Sequence, residues 1–309
     1  MYNCKDNSMK TIGAIARISN RICKKVFITD VTLRDGLQSY QKIISPYNRF
    51  EIGKKLISLG LNNIEVGSIV SDKVIPQMRN SMDVYNEMKQ YNNMINYHML
   101  ISNMKGIKLM MDNNVKHIAF FTSPSDGFNL KNINKTTEDS LNTINMMMKE
   151  VNNSAYIKGY ISCINECPYE GRLELAKIIN TINKLDEMGM DEICISDTLG
   201  TLTRDKLNEI LYNLSYEVLD KISIHLHQKA NENWKKLVDC CLFYNIISFD
   251  TSLLNLGGCP AAYKSTEKSG NLSLYDLVYH LENNGYDHGI ATNKIKEVEN
   301  EIQLILDRS

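Results

Sequence analysis

Eight short runs rich in β-branched residues alternate with longer amphipathic segments from residue 26 onward, and this alternation limits the possible fold most. Parallel strands joined by right-handed helical crossovers are the usual result of such a pattern. Eight such units in 309 residues predict an α/β fold, a single-domain (β/α)8 TIM barrel, which typically takes about 250 residues. The predicted strands are Val26–Val31, Asn63–Gly67, Ile95–Ile101, Lys116–Phe121, Tyr156–Ser162, Glu192–Ser196, Lys221–Leu226 and Ile246–Thr251.

The segments between the strands carry the residues that begin and end helices, above all a glycine just past the last turn. An open, doubly wound sheet is the alternative fold. Such a sheet usually has a glycine-rich phosphate loop after its first strand, and Arg34-Asp-Gly-Leu-Gln38 does not fit G-x-G-x-x-G. Helices are predicted at Asn48–Leu59, from Thr136 to Met148, at Glu170–Met188 and at Leu274–Asn284.

Residues 1–25 differ from the rest of the chain because they are basic and contain Asp6 as their single acid. A short mitochondrial leader has this composition, but so does an N-terminal arm. We expect the arm, and with it a cytoplasmic protein; a leader would direct the chain to the mitochondrial matrix. Residues 26–309 are predicted to form the TIM-barrel catalytic domain with a C-terminal helix.

Composition argues against two classes of partner. The chain has 35 Lys and Arg against 36 Asp and Glu, so no basic excess favours nucleic acid. No run of 18 apolar residues occurs, so no transmembrane helix is predicted. The eight cysteines form no C-x-x-C pair and are interpreted as free thiols.

The His-x-His pair in Lys221-Ile-Ser-Ile-His-Leu-His227 is the first chemical signal. Residues two apart in a strand share a face, so His225 and His227 point to the same side. They could be two hydrogen-bonded histidines inside a barrel, or two ligands of one metal ion. The barrel brings the ends of all strands to one mouth. The other polar residues predicted there are Thr32, Arg34, Asp35, Gln38, Glu65, Asp197, Thr198, Asn255, Cys259 and Asn271.

Some of these residues have simpler explanations when taken singly. Asp35-Gly36 is typical of a turn, Asp197-Thr198 of a helix N-cap, and Gly257-Gly258 of a flexible loop. Glu65 lies within an apolar run, and a buried carboxylate needs a partner, for which Arg34 is the candidate. Together they favour a metal-dependent active site.

The predicted donors favour Mg²⁺ or Mn²⁺, because imidazole, carboxylate and amide groups make a mixed nitrogen and oxygen site. Zinc more often takes thiolates or three histidines. Cys259 could be argued as a zinc ligand. The two glycines before it favour a catalytic thiol instead, since such a loop could carry the sulfur in and out of the site.

Four motifs of the chain are distinctive: Thr32-Leu-Arg-Asp-Gly-Leu-Gln38, Ser196-Asp-Thr-Leu-Gly200, the His-x-His pair and Leu256-Gly-Gly-Cys-Pro260. Together they resemble those of metal-dependent TIM-barrel lyases and synthases that act on acyl-CoA. Within that superfamily the chain most resembles the 3-hydroxy-3-methylglutaryl-CoA (HMG-CoA) lyases, from about residue 26 to 295. The resemblance implies that the Gly-Gly-Cys-Pro loop distinguishes these lyases from the synthases.

The resemblance implies a reaction and a set of roles. A homodimer would cleave HMG-CoA to acetoacetate and acetyl-CoA, a step of leucine degradation and ketone-body formation, with Mg²⁺ or Mn²⁺ as cofactor. The metal ligands would be Asp35, His225, His227 and Asn271. Arg34 would stabilise the enolate, Glu65 would orient Arg34 or a metal-bound water, and Cys259 would donate a proton. Either Asp35 or His225 would be the base. The substrate contacts would be Arg34, Gln38, Asp197 and Thr198, with Asp197 also counted as catalytic.

The chain departs from the family pattern at Gln228, where Asp is usual, and in a longer loop around Lys264–Glu267. Three alternatives therefore stay open. The chain could be a condensing enzyme related to isopropylmalate or homocitrate synthase, a lyase for another 3-hydroxyacyl-CoA, or an inactive homologue that acts as a binding protein.

Overall fold

The computed structural model describes residues 25–71, 73–151, 153–228, 233–258 and 270–309. The strands are β1 Phe27–Asp30, β2 Asn63–Ile69, β3 Asn96–Ile101, β4 His117–Thr122, β5 Tyr156–Ser162, β6 Glu166–Cys167, β7 Gly171–Arg172, β8 Glu192–Asp197, β9 Ile222–Gln228, β10 Ser248–Thr251 and β11 Gly270–Asn271. The α-helices are α1 Pro46–Ser58, α2 Ser81–Tyr91, α3 Met104–Asp112, α4 Asp126–Ile133, α5 Thr137–Val151, α6 Leu175–Glu187, α7 Arg204–Tyr212, α8 Tyr216–Leu219, α9 Asn233–Phe243, α10 Leu274–Asn283 and α11 Ile295–Asp307.

Eight strands form a closed parallel barrel in the order β1-β2-β3-β4-β5-β8-β9-β10. Pairing of β10 with β1 completes the ring, with Phe27 opposite Ser248 and Asp30 opposite Thr251. The predicted (β/α)8 barrel is therefore confirmed. The open doubly wound sheet is wrong, because such a sheet would leave two unpaired edges. Each predicted strand is present, and its ends lie within two residues of the prediction.

The predicted helices are also present, with one start misplaced. Gly60, Gly189 and Gly285 follow α1, α6 and α10 with φ values of 95°, 83° and 72°, the left-handed conformation that ends a helix. Helix α6 begins at Leu175 rather than at Glu170. The prediction failed there because β6 and β7 pair as a two-stranded antiparallel hairpin, which occupies the residues before the helix.

Alternation along the strands separates an apolar outer layer from a polar barrel interior. On β5, Ile157 and Ile161 belong to the hydrophobic core. Their neighbours Lys158 and Tyr160 reach across the barrel to Asp250 on β10. The interior therefore contains a charged network, and the strand ends above it form the mouth.

Two short elements complete the mouth. A π-helix, Thr32–Gly36, follows β1, with the Gly36 N–H bonded to the Val31 carbonyl at 3.0 Å. Strand β11 is antiparallel to the end of β9 and sets Asn271 opposite His227. None of the helices in the described ranges combines the length and apolar character that crossing a lipid bilayer requires.

Candidate active site and metal centre

Asp35, His225 and His227 come together at the barrel mouth, with ligand atoms that all lie within 4.8 Å of one another. Asp35 lies on the π-helix after β1, and both histidines lie near the end of β9. The period of two along β9 therefore places both rings on one face, as the sequence predicts. Closure of the barrel brings the carboxylate of Asp35 to them.

The two imidazoles present lone pairs to the same point. The Nδ1 of His225 is 3.2 Å from a carboxylate oxygen of Asp250, and the Nδ1 of His227 is 2.7 Å from the Thr198 carbonyl oxygen. Both of these partners are acceptors, so each Nδ1 carries the proton. When both imidazoles are neutral, the two Nε2 atoms, 3.2 Å apart, present lone pairs to each other. A cation at that point would satisfy both.

Asn271 adds a fourth donor from β11. Its Nδ2 donates to Asp35 Oδ2 at 3.0 Å, which fixes the carboxamide against the carboxylate. Its Oδ1 is buried and has no hydrogen-bond partner. A buried acceptor without a partner costs free energy unless something else binds it. A metal ion between Asn271 and the histidines would do so.

Gly257 covers this ligand set. Its φ is +103°, and a Cβ added there would collide with the carboxamide nitrogen of Asn271 and lie 3.0 Å from Asp35 Oδ2. The Gly257-Gly258 pair is therefore more than a flexible loop, because the first glycine allows the backbone to approach two candidate ligands. Two imidazole nitrogens, a carboxylate and an amide oxygen fit a divalent ion of the hard or borderline class.

Arg34 and Glu65 form a buried ion pair beside the ligand set, as the sequence predicts for a carboxylate in an apolar strand. The Arg34 Nε and Nη2 both lie 2.7 Å from Glu65 Oε2, and Nη1 lies 2.5 Å from Asp35 Oδ1. A guanidinium held by two carboxylates has little freedom to turn. Burial raises the pKa of Glu65, although Arg34 acts in the opposite direction.

The charges of the site keep its donors in the protonation states that a metal needs. Burial opposes ionisation of Asp35, but Arg34 and the two histidines outweigh it and lower the pKa of its carboxyl to about 2. Burial and the neighbouring His225 lower the pKa of His227 to about 4. Asp35 is thus a carboxylate and His227 an uncharged imidazole near neutral pH.

A cavity of about 550 Å³ opens beside these residues. Its lining includes Arg34, Asp35, Gln38, Thr198 and the two histidines. Apolar side chains also line it, namely Val70, Val74, Ile75, Leu100, Phe121 and Phe128. The cavity can therefore contact both polar and apolar groups of a bound molecule.

The structure sets Asp197 back from this cavity. Its two carboxylate oxygens accept from the backbone N–H groups of Thr201 and Leu202, at 3.0 and 3.1 Å. These contacts shape the loop after β8, which also carries Thr198. Cys259 and the insertion around Lys264–Glu267 lie outside the described residues, so what the sequence implies for them stays a prediction.

Three interior residues of the site escaped the sequence analysis. Tyr160 donates from its hydroxyl to Asp250 Oδ2 at 2.9 Å and lies 3.3 Å from Glu65 Oε2. Lys158 contacts the other oxygen of Asp250 at 2.6 Å. Lys158 and Asp250 lie within predicted strands, so the rule that singled out Glu65 also applies to them.

The closed barrel, the four oxygen and nitrogen donors at its mouth and the buried Arg–Glu pair define a class of protein, an enzyme with a candidate divalent-metal site. Residues 25–233 match the HMGL-like family. Since this match spans more than half of the chain, the chain belongs to the HMGL-like family.

Curated relatives and solved structures agree with this family. The mitochondrial hydroxymethylglutaryl-CoA lyase of Pongo abelii is 34% identical over 92% of this chain and 87% of its own length. The 3-hydroxy-3-isohexenylglutaryl-CoA/hydroxy-methylglutaryl-CoA lyase of Pseudomonas aeruginosa is 30% identical over 93% of this chain and 94% of its own. The crystal structure of hydroxymethylglutaryl-CoA lyase from Pseudomonas aeruginosa has a TM-score of 0.84 and 29% identity, and the match covers 93% of this chain and 95% of that one.

Proposed function

We propose that this protein is a carbon–carbon lyase that cleaves HMG-CoA to acetoacetate and acetyl-CoA with Mg²⁺ or Mn²⁺. The observation that carries the proposal is the buried Arg34–Glu65 pair beside a four-donor ligand set, three of whose members line a partly apolar cavity. Lyases of this activity align with nearly the whole chain.

Asp35, His225, His227 and Asn271 would hold the metal ion. When bound, the ion would act as a Lewis acid toward substrate oxygens and lower the cost of deprotonating the tertiary hydroxyl. The remaining steps belong to the side chains around it.

Arg34 would stabilise the charge that develops during cleavage. The hydroxyl proton leaves, a carbonyl forms on the acetoacetate fragment, and the carbon–carbon bond breaks with its electron pair moving to the acetyl-CoA fragment as an enolate. A guanidinium fixed by Glu65 needs no reorganisation to stabilise that negative oxygen. Glu65 therefore acts through Arg34.

Two proton transfers complete the reaction. The hydroxyl proton must pass to a base, and the resemblance offers Asp35 and His225 for this role. With His225 Nδ1 protonated and Nε2 directed at the ion, Asp35 is the candidate that agrees with this arrangement. The enolate carbon must then gain a proton, which we assign to the Cys259 thiol from the family resemblance. Gln38 and Thr198 line the cavity and would contact the acyl group. Asp197 would help to bind the substrate by holding the loop that carries Thr198.

The domain bounds, the oligomeric state and the location of the protein are also part of the proposal. Residues 26–309 would be the catalytic domain, and residues 1–25 an arm or a short leader. The protein would act as a homodimer on an acyl-CoA, in the cytoplasm, or in the mitochondrial matrix if the leader is present. Analytical ultracentrifugation and N-terminal sequencing of the native protein test these two points.

The purified protein incubated with HMG-CoA tests the reaction itself. We expect equal amounts of acetoacetate and acetyl-CoA, loss of both with EDTA, and recovery with Mg²⁺ or Mn²⁺. Arg34→Met should lower kcat by at least about a hundredfold, since it removes charge stabilisation of the enolate. Condensation of acetyl-CoA with a 2-oxo acid would identify a synthase instead, and substrate binding without turnover would identify an inactive homologue.

Cys259→Ala tests the thiol. Turnover should fall by at least about a hundredfold, because the enolate would lose its proton donor. Mn²⁺ affinity and the melting temperature should stay at wild-type values, since sulfur is absent from the proposed ligand set. Full turnover by this variant would remove the thiol from the mechanism.

A further inference from the structure

A buried charged network lies directly beneath the ligand set. Asp250 on β10 is its centre: His225 Nδ1 lies 3.2 Å from Oδ2, Tyr160 donates to the same oxygen at 2.9 Å, and Lys158 Nζ lies 2.6 Å from Oδ1. Lys158 and Asp250 have fully buried side chains. No catalytic or binding role proposed above is assigned to Asp250, Lys158 or Tyr160.

We propose that Asp250, with its charge compensated by Lys158, positions His225 as a metal ligand by holding the imidazole in the orientation and tautomer that aim Nε2 at the ion. The inference rests on the proposed function only for the presence of a divalent-metal site. Asp250 is a positioning residue here, because it reaches the site through His225.

The hydrogen-bond directions support the tautomer. An ionised carboxylate only accepts, so the His225 nitrogen that faces Asp250 must carry the proton. The buried Lys158 ammonium lies 2.6 Å from Asp250 Oδ1 and compensates the negative charge of the carboxylate. In the neutral ring, Nε2 then keeps a lone pair that faces His227 and the candidate site. Carboxylates behind ligating histidines are a common device for this purpose.

His227 provides an internal comparison. Its Nδ1 donates to the Thr198 carbonyl oxygen at 2.7 Å, so a backbone group orients that ring. His225 has a side chain in the equivalent position, which makes its orientation sensitive to substitution. A change at Asp250 should therefore alter His225 and leave the tautomer of His227 unchanged.

Lys158 makes a second contact, and this contact supplies a matched control. Its Nζ lies 3.0 Å from Glu192 Oε1. Glu192→Gln removes one carboxylate from Lys158 without touching the Asp250–His225 pair. Asp250→Asn removes the other carboxylate at nearly unchanged volume, but leaves the Lys158 ammonium buried beside an amide.

A buried charge without a partner can unfold a protein, so the test includes a charge-balanced double variant. Lys158→Met combined with Asp250→Asn removes both charges together. Circular dichroism and thermal melting establish that this variant is folded. Any change at His225 in it then reports the missing carboxylate rather than an unpaired ammonium.

Two measurements decide the inference, and neither uses substrate. The first is the ¹⁵N spectrum of the imidazoles in the metal-free protein, with the His225 signals assigned by their loss in His225→Gln. We expect a wild-type Nδ1–H tautomer for both histidines, with a shift to mixed tautomers for His225 alone in Asp250→Asn and in the double variant. The second is Mn²⁺ binding by calorimetry, where both variants should raise Kd about 10- to 100-fold and Glu192→Gln less than about twofold.

The outcomes separate this inference from the proposed reaction. Wild-type Mn²⁺ affinity and an unchanged His225 tautomer in the folded double variant would overturn the positioning role. Failure of the wild-type protein to bind Mn²⁺ would overturn the metal site and this inference with it. The wild type could bind Mn²⁺, and the Asp250 variants could change in tautomer and Mn²⁺ affinity as expected, while the wild type does not cleave HMG-CoA. That result would support the positioning role and overturn the proposed reaction.

Discussion

Asp30 shows how burial alone can make a carboxyl group titrate near neutral pH. It lies fully buried at the end of β1, where its carboxylate accepts the Thr32 N–H at 2.9 Å and lies 3.1 Å from the Thr32 hydroxyl. Burial raises its pKa to about 7, against the two Thr32 hydrogen bonds. The group therefore keeps its proton in the folded state at pH values where the unfolded chain has lost it.

The raised pKa of Asp30 makes the stability of the folded protein depend on pH, and Asp30→Asn should remove this dependence. Between the unfolded pKa near 4 and the folded pKa of about 7, the wild type loses stability as pH rises. Asparagine does not ionise, so the stability of the variant relative to wild type should grow by about 2.5 kcal/mol between pH 5 and pH 8. Urea unfolding of both proteins at the two pH values measures it. A difference that does not change with pH would contradict the assigned pKa.

At the residue scale, local rules predicted part of the site. The period of two in a strand was enough to place His225 and His227 together, and the cost of a buried carboxylate was enough to pair Glu65 with Arg34. The same rules could not assign the tautomer of His225, because its partner Asp250 lies on another strand. Such a contact follows from barrel closure and register, which a local pattern does not contain.

At the element scale, the turn that contains Gly257 is predicted to be essential for metal binding. In Gly257→Ala the new methyl group must displace Asn271 or Asp35, since neither has room to remain beside it. We expect Mn²⁺ affinity to fall at least about tenfold, which corresponds to about 1.4 kcal/mol. Calorimetric titration of the metal-free protein measures it.

Gly189→Ala is the matched control for backbone strain. Gly189 also has a positive φ, +83°, but a Cβ there would meet nothing within 4 Å. This variant should lose about 1 kcal/mol of stability from the left-handed backbone and keep wild-type Mn²⁺ affinity. Equal metal affinities in the two alanine variants would show that contact between Gly257 and the ligand set is unimportant.

The side chain of Gln228 connects β9 to the segment that joins β11, which carries Asn271, to α10. Its Oε1 accepts the Ser273 N–H at 3.0 Å, and its Nε2 donates to Asp276 Oδ2 at 2.8 Å. Asp276 lies in the first turn of α10, and the Ser273 hydroxyl accepts the Asp276 N–H there as the N-cap. The departure from the family pattern therefore fixes β11 and the start of α10 to the ligand strand.

Gln228→Glu tests this connection at unchanged side-chain length. The carboxylate could still accept from Ser273, but it would face the carboxylate of Asp276 instead of donating to it. We expect about a 5- to 30-fold loss of Mn²⁺ affinity, equivalent to about 1–2 kcal/mol, together with faster amide exchange at Asn271. Gln228→Glu combined with Asp276→Asn restores a donor opposite the carboxylate and should recover most of the affinity. No change in the single variant would show that β11 is held by its backbone bonds alone.

The elements that the sequence analysis placed wrongly or missed share a physical cause. Strands β6, β7 and β11 each contain two residues, too few for hydrophobic periodicity to appear. The start of α6 was misplaced because the β6–β7 hairpin precedes it. Long strands and helices were found because each repeats its period several times, whereas short ones are formed by tertiary contacts.

At the scale of the whole molecule, closure of the barrel makes one site from distant residues. Asp35 and Asn271 are hydrogen-bonded although 236 positions separate them. This closure depends on the pairing of β1 with β10, the first and the last strands of the barrel in the sequence. The count of eight strand–helix units was enough to predict closure, because eight parallel strands form a closed barrel whose interior is just filled by side chains.

Residues 1–24 precede β1 and every candidate site residue in the sequence. Closure needs β1, which begins at Phe27, and Lys25 adds a parallel bridge to Asp287 beyond α10. Every candidate site residue from Arg34 to Asn271 lies after that point. We therefore expect a chain that starts at Lys25 to keep its melting temperature within about 2 °C and its kcat/KM for HMG-CoA within about twofold of the full chain.

A second truncation gives this experiment its control. A chain that starts at Val31 lacks β1 and should fail to close the barrel, because β2 and β10 would each lose a parallel partner. Melting curves and lyase assays of the three chains measure the difference. If the chain from Lys25 also loses its cooperative melting transition, residues 1–24 contribute to the folded domain, and the boundary that we propose at residue 26 is wrong. A stable chain from Lys25 with lowered activity would instead place residues 1–24 in the reaction, which neither an arm nor a cleaved leader would explain.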